Sequence, residues 1–278
     1  MNDLEYHKLD NKAYKKAREF LLEKTPNYIT NDLIESYLIP PNAKNENYKI
    51  NDLFFRLLES AQNANMKRGV ISGAMDNGLN ALKGVLCNFS PKIIIEKYQD
   101  DSRSLLNEIF TKVEIRGEKR DTDRSIWPKY CKTILSAAMF MNQFNNTDDF
   151  YNWIEFFYKD QKSIAALPLI MASEIYGIGF PLACDFLKEI GNDKYGKPDI
   201  HIKQIFQHIG LVNEKNSDYQ TLKAIKRIAD NVNNSAYNVD KVFWLIGSGY
   251  YYNHKHLGNE GRVGSLKRKF LEYWDEMN

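Results

Sequence analysis

A chain of 278 residues is long enough for one large or two small domains, and it can bury a full core without disulfide or metal staples. Its 43% hydrophobic and 27% charged residues exclude a disordered or fibrous protein. Lys and Arg number 38 against 36 Asp and Glu, a net charge of +2, which excludes a polybasic, histone-like chain and leaves a local basic face open.

Along the chain, the opening MNDLEYHKLDNKAYKK lacks the apolar stretch of a signal peptide. No run approaches the roughly 20 apolar residues that span a bilayer. The expectation is an intracellular protein with no membrane partner. The break from Pro40-Pro41 through Asn47, prolyl and polar, separates an N-terminal helical extension, residues 1–47, from a main body, residues 48–278.

Helical stripes then occur at Leu53, Phe54, Leu57, Leu58 and Ala61, and at Ile134, Leu135, Ala138 and Met141. Further stripes are Leu182, Phe186, Leu187 and Ile190, and Ile202, Ile205, Phe206 and Ile209. The last are Leu222, Ile225, Ile228 and Val232, and Leu266, Phe270 and Trp274. Strand-like alternation is nearly absent, so the fold class is all-α, with further breaks at Asn145 to Asp149 and at Gly191 to Pro198. Cys87, Cys131 and Cys184 are far apart and outside any CxxC or Cys/His spacing. They suggest neither a disulfide framework nor a zinc or iron–sulfur site, and read as buried apolar fillers. His201 and His208 have no partner spacing for a metal and read as surface or hydrogen-bonded histidines.

The most informative stretch is IYGIGFPLACDFLKEIGNDKYGKPDIHIKQIFQHIGL, Ile175 to Leu211, which reads as helix, tight turn, helix, loop, helix. The first helix is expected to end at Tyr176, where Gly177 and Gly179 permit positive φ and let the chain reverse closely around Ile178, with Pro181 in the first turn of the next helix. Backbone N–H groups at such a turn, together with the positive end of the second helix, hold a phosphate without reading sequence. A GxG triplet alone also serves ordinary helix turns, and a second one stands at Gly247-Ser248-Gly249. The continuation is more specific: the loop after the second helix ends in Asp199, at the head of an amphipathic helix.

With that continuation, the segment resembles the core of the helix–hairpin–helix DNA glycosylase superfamily. PDIHIKQIF is similar to the bacterial alkylpurine glycosylases in Asp199, Ile202, Lys203 and Gln204, and Asp199 with His201 is similar to the endonuclease III branch. Pro181 lies 18 residues before Asp199, a spacing that agrees with the family. LLESAQNAN at Leu57 to Asn65 resembles the endonuclease III helix whose Ser-Ala-Gln places a glutamine into the DNA stack, here Gln62; DKVFWLIGSG, Asp240 to Gly249, resembles the family's Trp-containing late helix. The resemblance covers roughly residues 50 to 250 and implies two helical subdomains with a cleft between them and a catalytic Asp199. It also implies DNA contacts through Gly177, Ile178, Gly179, Gln62 and Lys203 and a monomer acting on double-stranded DNA; the Cys and His spacings imply no transition metal. A monovalent cation on hairpin carbonyls near Gly177 and Gly179 is implied as well. Bifunctional members carry a lysine where Pro181 stands, and the iron–sulfur cysteines of the endonuclease III branch are missing. The expected activity is therefore hydrolytic base release without a lyase step.

The chemistry fits the residue type. Cleaving a base from its sugar passes through an oxocarbenium-like state that an ionised carboxylate stabilises while it orients a water. Asp199 at a helix start is favoured in its charged form, although the same residue is also an ordinary N-cap. A flipped nucleotide needs a wedge, for which Gln62 is the candidate against a solvated polar residue at a helix end. It also needs an aromatic pocket, for which Trp127, Trp153, Phe180, Tyr251 and Tyr252 are candidates against core packing. Between Tyr252 and Phe270, Lys255, Arg262, Lys267, Arg268 and Lys269, with His254 and His256, face only Glu260. They form a phosphate-contacting patch or a solvated helix face. Two other readings stay open: a glycosylase-like DNA-binding module that has lost its chemistry, and a helical protein-interaction domain.

Overall fold

The computed structural model describes residues 3–41, 48–64, 69–157, 163–213, 217–254 and 261–277. The fold is all-α: in chain order the helices are α1 Asp3–Glu23, α2 Asn31–Leu38, α3 Ile50–Ala61, α4 Pro91–Tyr98, α5 Ser102–Lys112, α6 Ile126–Met141 and α7 Thr147–Phe156. They continue with α8 Ala166–Glu174, α9 Phe180–Glu189, α10 Ile200–His208, α11 Asp218–Asn231, α12 Ala236–Ser248 and α13 Leu266–Asp275. Short 3₁₀ turns lie at Ser72–Ala74, Gly78–Leu82 and Cys87–Phe89. Among the described residues no helix is long and apolar enough to cross a membrane. The chain divides into two compact units, one of Met1–Ala43 with Leu187–Asn278 and one of Lys44–Phe186.

Local sequence sets the helix ends. Asp101 accepts from the amides of Arg103 and Ser104, and Asn146 accepts from that of Asp149, each satisfying N–H groups that the first helical turn leaves open. Ser217 and Gln220 close a reciprocal capping box on α11. Gly249 ends α12 in the left-handed region at φ 60°, where a Cβ would sit 2.2 Å from the Val263 carbonyl oxygen. The second GxG triplet therefore serves a helix C-cap.

In the first unit, α12 is the central helix, and α1, α2, α10, α11 and α13 pack on it. The segment read as an N-terminal extension supplies Ala13, Ala17, Phe20 and Leu21 from α1, and Ile34 and Tyr37 from α2, to the same hydrophobic core. Phe20 meets Phe270 edge-on at 5.3 Å, and Phe206 meets Phe243 at 4.9 Å. Arg227 of α11 forms a two-pronged ion pair with the fully buried Asp10 of α1 at 2.8 and 2.9 Å. Residues 42–47, the rest of the expected break, lie outside the described residues.

In the second unit, α6 is central and α3, α4, α5 and α8 pack on it. Its Tyr130 hydroxyl donates to the Leu58 carbonyl at 3.1 Å, and Cys131 is fully buried, its thiol pushed up to about 12 by desolvation. Cys184 is buried too, whereas Cys87 is only half-buried, in a 3₁₀ turn at φ 50°. The expected stripes fall on α3, α6, α9, α10, α11 and α13, with Leu182 and Val232 only partly covered.

Candidate functional site

The hairpin belongs to the second unit. Helix α8 ends at Glu174, two residues before the expected Tyr176, because Ile175 is already extended at φ −107°, ψ 112°. The Ile178 amide closes the turn on the Ile175 carbonyl at 3.2 Å, and the Tyr176 amide donates to Ser136 Oγ of α6 at 2.9 Å. Gly177 is required twice over: its φ is +79°, and a Cβ would stand 2.8 Å from Thr133 Oγ1. Gly179 does not use the freedom that its residue type permits. It lies outside the left-handed region, and a Cβ there would make only ordinary contact, 3.8 Å, with Pro181 Cδ. Pro181 is the second residue of α9, where its missing N–H costs no helical bond.

Both glycines are exposed, and among the described residues their amides meet no acceptor. The buried Ile178 pins the turn between them. The Gly179 carbonyl accepts from Leu182 and Ala183 at 2.9 and 3.1 Å, which engages both of its lone pairs.

Asp199 belongs to the first unit and is built by the loop before α10. Gly196 is packed so closely that a Cβ would lie 2.9 Å from Asp240 Cβ, 2.9 Å from Ile225 Cγ2 and 3.1 Å from the Ala236 carbonyl oxygen. The Lys197 amide donates to Asp240 Oδ1 at 2.9 Å, and the Asp199 amide folds back on the Lys197 carbonyl at 2.8 Å, a tight turn around Pro198. Asp199 is half-buried, and as N-cap its Oδ1 accepts from the Ile202 amide at 3.0 Å. Its other oxygen, Oδ2, accepts no hydrogen bond among the described residues. One oxygen is fixed and one is open.

Charged groups cluster on this loop. Asp240 is fully buried and its Oδ2 pairs with Lys188 Nζ at 2.8 Å; Lys188 also lies 3.8 Å from Glu189, which pairs with Lys241 at 3.4 Å. Burial pushes the Asp240 carboxyl up and the two lysines oppose it, with Asp199 adding a like-charge push. Neither Lys188 nor Asp240 stands out in the sequence motifs as a functional residue. A signal was nonetheless present: Asp240 stands at the i+4 position from Ala236 and i−3 from Phe243, a charge on the core face of an apolar helix.

His201 is depressed by burial, raised in part by Asp199, and lowered further by Lys267 and Arg262. Two members of the expected basic patch therefore act on the start of α10. The His201 Nδ1 is buried without a partner among the described residues, and its Cβ packs where a Cβ on Gly247 would come within 2.6 Å. His208 bonds Asp275 at 3.0 Å on the surface. Lys203 pairs with Asp218 at 2.7 Å, and Gln204 accepts from Lys267 at 2.5 Å. Arg268 lies 3.9 Å from Glu272, and His254 Nε2 is 3.2 Å from the Tyr28 carbonyl oxygen. Lys255, His256 and Glu260 lie outside the described residues.

Gln62 ends α3, is buried, and its Oε1 accepts from the Ser72 amide at 3.1 Å, so it is a bonded turn residue rather than a solvated one. Among the aromatic candidates, Trp153 packs among Phe140, Phe144 and Phe157, and Tyr251 is fully buried, its hydroxyl without a partner among the described residues. Phe180 is buried, while Tyr252 is 39% exposed against Tyr37. Trp127 lines a 660 Å³ cavity in the second unit with Ile71, Arg116, Arg120 and Arg124.

No family model matches the chain, and no curated protein sequence does. Among solved structures, it is similar to the Methanocaldococcus jannaschii 8-oxoguanine glycosylase/lyase in complex with a 15mer DNA containing 8-oxoguanine. The identity is 17% and the TM-score 0.49, over 84% of this chain and 96% of that one.

Proposed function

We propose that the protein is a DNA glycosylase that hydrolyses the N-glycosidic bond of a flipped-out base in double-stranded DNA. The observation that carries this reading is Asp199: a half-buried carboxylate with one oxygen tied to the Ile202 amide and the other open, 18 residues after a hairpin proline. The amides of the exposed Gly177 and Gly179, unpartnered among the described residues, support it, because they present the donors that a backbone phosphate accepts. In this reading Asp199 Oδ2 stabilises the positive charge developing on the sugar and orients the attacking water, while Oδ1 stays on the helix. A monovalent cation at the hairpin would rest on the Gly177 and Ile178 carbonyls, which accept no hydrogen bond among the described residues, because the Gly179 oxygen already serves Leu182 and Ala183.

Pro181 stands where a nucleophilic lysine would be needed, so water is the nucleophile and an abasic site is the product. Gln62 is the wedge of this reading; to enter the stack it must release Ser72. Lys203 contacts phosphate in exchange for its Asp218 pair. The protein works as a monomer in the compartment that holds its DNA.

The experiment is incubation with duplexes bearing alkylated, oxidised, deaminated and normal bases, followed by assays for free base, abasic sites and borohydride-trapped adduct. Release of one base class without trapping is the expected result. Pro181 also favours a second reading, a DNA-binding module without chemistry. That reading holds if the protein binds duplexes in a salt-dependent way and releases none of the bases.

A further inference from the structure

We propose that Asp240 is a positioning residue for Asp199: from the buried side of α12 it fixes the Gly196-Lys197-Pro198 loop and thereby sets where the Asp199 carboxylate points. This inference rests on the glycosylase reading for its catalytic consequence, but its structural half stands on the geometry of the first unit alone.

Three contacts converge. The Asp240 Oδ1 accepts from the Lys197 amide at 2.9 Å, two residues before Asp199. Gly196 lies so close to Asp240 and to the Ala236 carbonyl that no side chain fits between loop and helix. The Asp199 amide then closes on the Lys197 carbonyl at 2.8 Å, so a displacement of Lys197 is passed directly to Asp199. Lys188, 4% exposed, occupies the other Asp240 oxygen at 2.8 Å. A buried ion pair of this kind seldom adds stability over apolar side chains of the same size, and fixing one geometry is its better-attested use. That cost is understandable here if the orientation of the loop matters more than the stability of the unit.

The test separates the Lys197 bond from the buried charges. The double variant Asp240→Leu with Lys188→Met removes both charges and the acceptor while keeping the branched heavy-atom shape at position 240. Asp240→Asn with Lys188→Met removes the charges but keeps an oxygen for the Lys197 amide. On the base class that the parent releases, the Leu/Met variant is expected to lose about 10- to 100-fold in single-turnover rate, with duplex Kd unchanged within about twofold. The Asn/Met variant should recover to within about threefold of the parent. Equal rates in the Leu/Met variant and the parent would overturn the proposal, as would an Asn/Met variant as slow as the Leu/Met one.

Amide hydrogen exchange decides the structural half independently of activity. In the Leu/Met variant the Lys197 and Ile202 amides should exchange about tenfold faster or more, with α11 unchanged. Should the parent release no base, the glycosylase reading fails while this exchange pattern still supports Asp240 as the anchor of the loop. Unaltered protection at Lys197 and Ile202 would overturn it.

Discussion

A helix N-cap and an oxocarbenium-stabilising carboxylate make different demands, and Asp199 can meet both because a carboxylate has two oxygens, one of them here committed to Ile202. Asp199→Asn keeps the capping oxygen and removes the charge. Stability within about 0.5 kcal/mol of the parent and loss of base release are expected; undiminished release would leave Asp199 a cap and nothing more. Elsewhere, Lys97, then Lys112 and Tyr98, bond Glu108 and hold its carboxyl down at about 2, opposed by burial. A depressed carboxyl stabilises the fold above its unfolded value, near 4.5, and that contribution fades as pH falls toward 2. Urea unfolding of Glu108→Gln should thus show a loss of about 1 kcal/mol at pH 7, reduced for solvent screening, and a difference that closes near pH 2. At this scale the sequence was informative for Asp199, whose position at a helix head follows from Pro-Asp before an apolar stripe. It was silent on the bonding of Gln62, since Ser72 is ten residues away and no local rule pairs them.

The hairpin shows what an element adds to its residues. Gly177 and Gly179 look equivalent in sequence, yet only the first has a positive φ and only the first is pressed against α6. Gly177→Ala is expected to cost about 1–3 kcal/mol, and Gly179→Ala less than about 0.5 kcal/mol, by thermal or urea unfolding. Comparable losses at both positions would mean that the turn is shaped by something other than α6. The distinction was illegible in the sequence because it depends on Thr133, which a stripe reading places on a helix but not beside a turn. Strongly periodic helices such as α3, α6 and α10 were legible for the opposite reason, their burial being local to their own spacing.

For the whole molecule, stripes tell which face is buried but not against what, so the joining of residues 1–43 to 187–278 in one core could not be read from them. Phe20, Leu21, Ile34 and Tyr37 are each worth about 1.5–3 kcal/mol on burial, together comparable with the total stability of a typical domain. Deletion through Leu38 is therefore expected to unfold the first unit while the helices of the second survive, a partial loss of circular dichroism with selective proteolysis of 187–278. Duplex affinity should fall steeply with salt whatever the DNA sequence, through counterion release, and a flat salt titration would argue against phosphate contacts. The split core also gives synthesis a schedule. Helix α1 leaves the ribosome with its apolar face uncovered and waits while the entire second unit is made, roughly 7 to 30 s at about 5–20 residues per second. During that interval Phe20 and Leu21 are open to any holdase that reads apolar helices, and the nascent chain is most vulnerable before α12 emerges.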